Sequence, residues 1–372
     1  MKKLLVFVLI SVQVYACTRT GIGTARRKMS PEESLRRVYS GDPSRWPRPV
    51  VDTSVQWLEL EPLPAGPLQL QMDSLNDRIQ LGKALFFDPR LSDSKKISCS
   101  SCHLPERSWT DGIARSIGHE DQVNKRNSPT ILNTWFYKEL FWDGRSNSLE
   151  DQAFSPINGE AEMHSDMPAV LTKLRRIKGY RPMFEQAFGS AEISPETLTG
   201  ALAVYQRTIV SQPSSFDRFM LGEKDALTDD ALRGLHIFRM RAGCMNCHHG
   251  PMFSDNGYHN TGIDNYDVHQ LDKGRYNFTK REEDAGKFRT PSLRDVTRTG
   301  PWMHNGSFTR LADIIEAYNR GMITNQDPRL PAKDKLIKPL ALSLQDKNDL
   351  LAFLHAISAA PAVVTRPVLP AD

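Results

Sequence analysis

The chain has 372 residues, enough for two domains of ordinary size. Charged residues make up 25% and the formal net charge is +4, without a long basic run, so nucleic acid is not the expected partner. A negative mean hydropathy, with 24 prolines and 23 glycines, describes a soluble, turn-rich protein.

The first element is a leader. Lys2 and Lys3 precede an apolar run from Leu4 to Val14, shorter than the roughly 20 residues that span a bilayer. With the small residue Ala16 this reads as a secretory signal over residues 1–17, and places the protein in the periplasm. "VYAC" is similar to a bacterial lipobox, in which Cys17 carries lipid and becomes the mature N-terminus; simple signal cleavage is the alternative, because Tyr15 is unusual there. Residues 18–74 are a Pro-rich extension expected to wrap the surface. Residues 75–221 and 222–372 follow as two domains.

Each domain carries one C-x-x-C-H unit: Cys99, Cys102 and His103 in "ISCSSCHLPE", then Cys244, Cys247 and His248 in "RAGCMNCHHG". Such a pair serves a thiol–disulfide switch, half of a zinc site, or covalent haem attachment. A redox pair is expected near a βαβ pattern and leaves the histidine without a role. A zinc site needs two further ligands at finger-like spacing, and the remaining cysteine count does not supply them. Haem c uses every position: two thiols take the vinyl groups and the histidine ligates iron. Two covalent haems are therefore expected, with His103 and His248 as proximal ligands. The chain has five cysteines; with Cys17 lipidated, none is left over.

Helical periodicity dominates, so the expected fold is mainly α, with two small cytochrome c-like helical domains and long loops. "TLTGALAVYQRTIV" is amphipathic. "ALTDDALRGLHIFRM" opens at a Thr228 cap and aligns Leu232, Leu235 and Phe238; "SLQDKNDLLAFLHAIS" opens at Ser343. His236, His249, His259, His269 and His355 read as surface residues.

Longer stretches add a resemblance. "LGKALFFDPRLSDSKKISCSSCH", "SIGHEDQ", "KRNSPTILN", "FWDGRSNSLEDQAFSPI", "AEM" and "FRTPSLRDVTRTGPWMHNGSF", between about Leu81 and Ser358, resemble the bacterial dihaem cytochrome c peroxidase and MauG superfamily. The resemblance makes the first haem the peroxide-reactive one. It makes Glu162 its distal acid–base group, moving a proton between the two peroxide oxygens. Gln152 and Pro156 line that pocket, and Trp142 lies between the haems to pass electrons. Asn127, Thr299 and Pro301 match a calcium site, with amide and carbonyl oxygens as donors.

The resemblance also puts Tyr318 at the distal position of the second haem. Cytochrome c peroxidases have methionine there, a soft ligand that raises the potential; MauG has tyrosine, a hard ligand that favours oxidised iron. Met322, one helical turn on, is the alternative ligand, and plain core packing of Tyr318 is the bland reading. His119 matches a histidine that caps the first haem in many peroxidases of the family; whether it does so here stays open. Ala242 stands where MauG has a tryptophan on its route to a protein substrate.

The implied function is a MauG-like peroxidase that uses hydrogen peroxide to oxidise a partner protein, with tryptophan the expected target as in MauG and MbnH-like relatives. The alternatives are a cytochrome c peroxidase fed by a small c-type cytochrome, and a non-enzymatic dihaem electron carrier.

Overall fold

The structure is a computed structural model that describes residues 29–263, 272–322 and 332–372. The expected leader (residues 1–17, with Cys17) and His269 lie outside the described residues. Among the described residues no helix is long and apolar enough to cross a membrane.

The described residues open with α1 (Pro31–Tyr39), started by a Ser30–Glu33 capping box. The first half then builds α2 (Asn76–Phe87), the one-turn α3 (Cys99–Cys102), α4 (Leu149–Gln152), α5 (Phe154–Asn158), α6 (Met167–Arg176), α7 (Tyr180–Phe188) and α8 (Pro195–Arg207). The second half adds α9 (Ser215–Met220), α10 (Asp229–Met240), α11 (Tyr276–Thr279), α12 (Leu311–Asn319) and α13 (Leu344–Ala356). Among the described residues strand is confined to β1 (Tyr258–His259) and β2 (Phe288–Arg289), an antiparallel pair. The Thr228 and Ser343 hydroxyls accept from Ala231 N and Asp346 N, so α10 and α13 begin where their capping residues predict.

Among the described residues two large apolar cores form, and each is closed by a helix pair. In the first, α2 crosses α8 so tightly that a Cβ at Gly82 would sit 2.0 Å from Ala201 O. In the second, α10 crosses α13, and a Cβ at Gly234 would sit 2.0 Å from Asp349 O. Glycine is required at both positions because the backbones touch. The two halves are thus built alike, although no fine repeat is visible in the sequence.

Both ends of the chain depart from the expected division. Tyr39, Trp46 and Leu60 of the extension are buried in the second core, not the first that follows them in sequence. Arg239, fully buried on α10, pairs with Glu59, donates to Pro47 O, and lies 5.0 Å from the Trp46 ring centroid. Phe216 and Phe219 of α9 also enter that core, so the crossover falls before residue 221. The C-terminal segment instead returns to the first half: Val364 and Leu369 pack on its core, Gly179 N donates to Ala371 O, and Arg90 donates to Pro370 O.

Candidate functional site

In the first half, Ser98 caps α3 and His103 N donates to Cys99 O at 3.0 Å, which turns the imidazole inward. His103 Nδ1 lies 3.1 Å from Trp109 O, and burial pushes the ring's pKa down, so it is neutral with Nδ1–H donating and Nε2 free. A metal-ligating histidine is held in this way. Burial, above all, pushes the Cys99 and Cys102 thiols up to about 12 and about 11. A reactive redox thiol shows the opposite, a lowered pKa.

The far wall of this site is one compact unit made of α4, α5 and the turn after them. Gln152 closes α4 by donating its N–H to Ser148 O, and Pro156 O accepts from Met163 N at 3.1 Å. Glu162 N donates to Gly159 O at 2.9 Å, completing the turn. The Glu162 carboxyl lies close enough to Cys99 and Cys102 to disfavour their thiolates. Burial raises its own pKa, with Arg145 opposing, which favours a group able to take up and release a proton.

His119 packs against that turn. Its N–H donates to Glu162 O at 3.0 Å, and a Cβ on Gly118 would lie 1.9 Å from Ala161 O. The ring is 7% exposed, stacks on His164 at 4.4 Å, and leaves Nδ1 buried without a hydrogen-bond partner among the described residues.

The second half repeats the first histidine's arrangement. His248 Nδ1 lies 2.8 Å from Phe253 O, and burial again holds the ring neutral. Burial, then the neighbouring Cys247, pushes the Cys244 thiol up to about 12. Cys244, Cys247 and His248 line a large apolar cavity. Tyr318 of α12 lines it too, and its phenol is pushed above its ordinary value by burial and then by the two cysteines, which places it facing them. Met322 does not line the cavity; it is buried with Ile263 and Ala317.

Trp142, Asn127, Thr299 and Pro301 come together on the same cavity's wall. Trp142 Nε1 donates to Asn127 O at 2.9 Å, and its backbone carbonyl accepts from Arg289 N at 2.8 Å, so the indole and the backbone are each held by one bond. Asn127 Nδ2 donates to Ile113 O and Ala114 O, which commits the amide's donor side and leaves Oδ1 as the acceptor.

Two histidines read as surface residues are not. His249 is 6% exposed, with Nδ1 3.4 Å from Leu58 N, because the extension lies across it. His259 lines the cavity, with Asp255 at 2.9 Å on Nε2 and Asp334 at 2.6 Å on Nδ1. Burial disfavours its cation, yet the hydrogen bonds to Asp255, Cys247 and Asp334 win and raise its pKa to about 11. Cys247, Asp255 and His259 lie within 4.8 Å of one another, and both ring nitrogens of His259 are already engaged, Nε2 by Asp255 and Nδ1 by Asp334. His236 bonds Tyr39 through Nδ1, and His355 is exposed, as expected. Met303, which the sequence did not single out, also faces the cavity.

Both sites meet the demands of a haem held from one side by cysteines and a neutral histidine, which makes the fold and donor set those of a dihaem redox protein. The model of the di-haem cytochrome c peroxidase family matches residues 76–225. The chain is 38% identical over 343 residues to cytochrome-c peroxidase IdrP1 of Pseudomonas sp. strain SCT, covering 84% of this chain and 89% of that one. It is 40% identical over 297 residues to methylamine utilization protein MauG of Methylorubrum extorquens, covering 79% and 82%. Among solved structures, a MauG-like protein associated with microbial copper homeostasis superposes with a TM-score of 0.68 at 31% identity, covering 84% and 93%. The chain belongs to the di-haem cytochrome c peroxidase family. It is a haem-dependent peroxidase of the group containing MauG and the cytochrome c peroxidases, with two haems as cofactors.

Proposed function

We propose that the protein is a MauG-like peroxidase that passes oxidising equivalents from hydrogen peroxide to a partner protein. Two haems are attached covalently through Cys99 and Cys102 and through Cys244 and Cys247, with His103 and His248 beneath them. Bound at the first site, the haem supplies the redox chemistry of peroxide cleavage. Glu162, raised by burial, takes the proton from one peroxide oxygen and delivers it to the other. Gln152 and Pro156 hold the wall that carries it. Trp142, fixed by Asn127 O and Arg289 N, mediates between the two sites. Asn127 Oδ1 with the carbonyls of Thr299 and Pro301 would hold a calcium ion, which suits oxygen donors of this kind.

The observation that carries this reading over its alternative is Tyr318 on the second cavity's wall, with Met322 off it. We assign Tyr318 as the distal ligand of the second haem. A Tyr318→Met variant tests this: it gains a thioether absorption band that the parent lacks, and a parent already showing that band contradicts the assignment.

His119, tied to Glu162 O and packed through Gly118 on Ala161, is assigned a resting place beside the acid rather than on iron, so peroxide reacts without prior reduction. The cytochrome c peroxidase reading is favoured by the presence of this histidine and by the likeness to IdrP1. It predicts no reaction with peroxide until one haem is reduced. Export to the periplasm, lipid on Cys17 and a tryptophan target in the partner complete the proposal.

A further inference from the structure

The described residues hold a half-buried tyrosine–carboxylate pair that neither haem site uses. Tyr258 of β1 pairs in register with Arg289 of β2, whose N–H donates to Trp142 O at 2.8 Å. The phenol therefore lies one strand away from Trp142. It also presses on the turn that follows: Gly144 has φ +73°, and a Cβ there would sit 1.9 Å from the Tyr258 hydroxyl. Only glycine allows this approach.

The Tyr258 hydroxyl donates to Glu139 Oε2 at 2.8 Å. Arg275 pairs with the same carboxylate at 3.0 Å and lays its guanidinium 3.8 Å from the Tyr258 ring centroid. Burial opposes ionisation of Glu139, but the hydrogen bonds from Arg275 and Tyr258 outweigh it and keep it a carboxylate, ready to accept a proton. The Glu139 side chain is 30% exposed, whereas Trp142 is 9% exposed, so the pair leads outward.

We propose that Tyr258 and Glu139 form a proton-coupled electron relay carrying oxidising equivalents from Trp142 towards the surface; this rests on the peroxidase reading above. One electron leaves the phenol for the oxidised Trp142 side, the O–H bond breaks, and the proton goes to Glu139. The products are a neutral tyrosyl radical and a neutral carboxylic acid. An electron from an outside donor then restores the phenolate oxygen, which takes the proton back from Glu139. The Arg275 cation over the ring disfavours a positively charged ring. It thereby makes electron loss depend on the proton's departure. A carboxylate within hydrogen-bond reach is what such a transfer requires.

The test uses the holoenzyme, hydrogen peroxide, and ferrocyanide as an outer-sphere donor, comparing the parent with Tyr258→Phe and Glu139→Gln. Stopped-flow spectra follow formation of the two-equivalent oxidised protein, and freeze-quench electron paramagnetic resonance looks for a tyrosyl radical. The relay predicts equal formation rates in all three proteins and a tyrosyl signal that Tyr258→Phe removes. It also predicts ferrocyanide oxidation about tenfold slower in both variants, with the parent's solvent deuterium effect lost in Glu139→Gln. Unchanged radical signal and donor rate in Tyr258→Phe, with normal formation, overturn the relay and leave the peroxidase reading standing. Failure of the parent itself to become oxidised overturns that reading and the relay with it.

Discussion

The two halves begin from the same bracket and differ on the opposite wall. Each has a helix crossing closed over a glycine, Gly82 in one and Gly234 in the other. Each sets its histidine by a carbonyl five or six residues on, Phe253 O for His248 and Trp109 O for His103. Facing the first bracket is a turn carrying the Glu162 carboxyl; facing the second is the helix α12 carrying the Tyr318 phenol. A carboxyl raised by burial exchanges protons, and a phenol is a hard oxygen ligand. The lesson is that the C-x-x-C-H unit marks the place proposed for a haem and the far wall sets the chemistry proposed for it.

The largest expected effect comes from erasing the difference on the first side. Glu162→Gln is expected to slow the reaction with peroxide by about 10²- to 10⁴-fold, measured by stopped flow, while leaving the second haem's spectrum unchanged. Loss of the second signature as well would mean that the walls are not independent. Next comes the shared scaffold. Gly82→Ala and Gly234→Ala each force a methyl into a carbonyl and are expected to destabilise by about 1–3 kcal/mol. Urea denaturation followed at each haem's own absorption should show the nearer site loosening first.

The acid's titration sharpens the contrast further. Burial raises the Glu162 pKa above its ordinary value, and the proton uptake proposed for it requires the carboxylate. The rate constant should therefore fall as pH drops through that raised value, about tenfold per unit below it. The same limb should be absent from Glu162→Gln; its persistence would assign it to another group. The smallest effect is expected at the strap joining the halves. Arg366 pairs with Glu106 at 3.1 Å on an exposed surface, so Arg366→Ala should cost less than about 1 kcal/mol in the same denaturation experiment.

Much of this was legible in the residues. The C-x-x-C-H units are local, and so are the caps at Thr228 and Ser343, because a motif or cap is written within a few positions. The wall residues Glu162 and Tyr318 were reached only through the resemblance, since a lone acid or a tyrosine on an apolar helix face carries no signature of its own. What escaped was made of distant contacts. His249 is covered because Leu58 crosses it, and the pKa of His259 is raised by Asp255 nearby and then by groups that include Asp334, far along the chain. The extension's preference for the second core follows from Arg239, a buried cation on α10 that needs Glu59 and Pro47 O to satisfy it. No spacing rule announces such a partner.

The most direct test of the unlike walls is electron paramagnetic resonance of the resting, fully oxidised protein, before any reductant or peroxide is added. The account predicts one high-spin signal from a first haem left open beside Glu162 and one low-spin signal from a second haem bound by His248 and Tyr318, without a thioether band in the optical spectrum. Two low-spin signals, with or without that band, would contradict it.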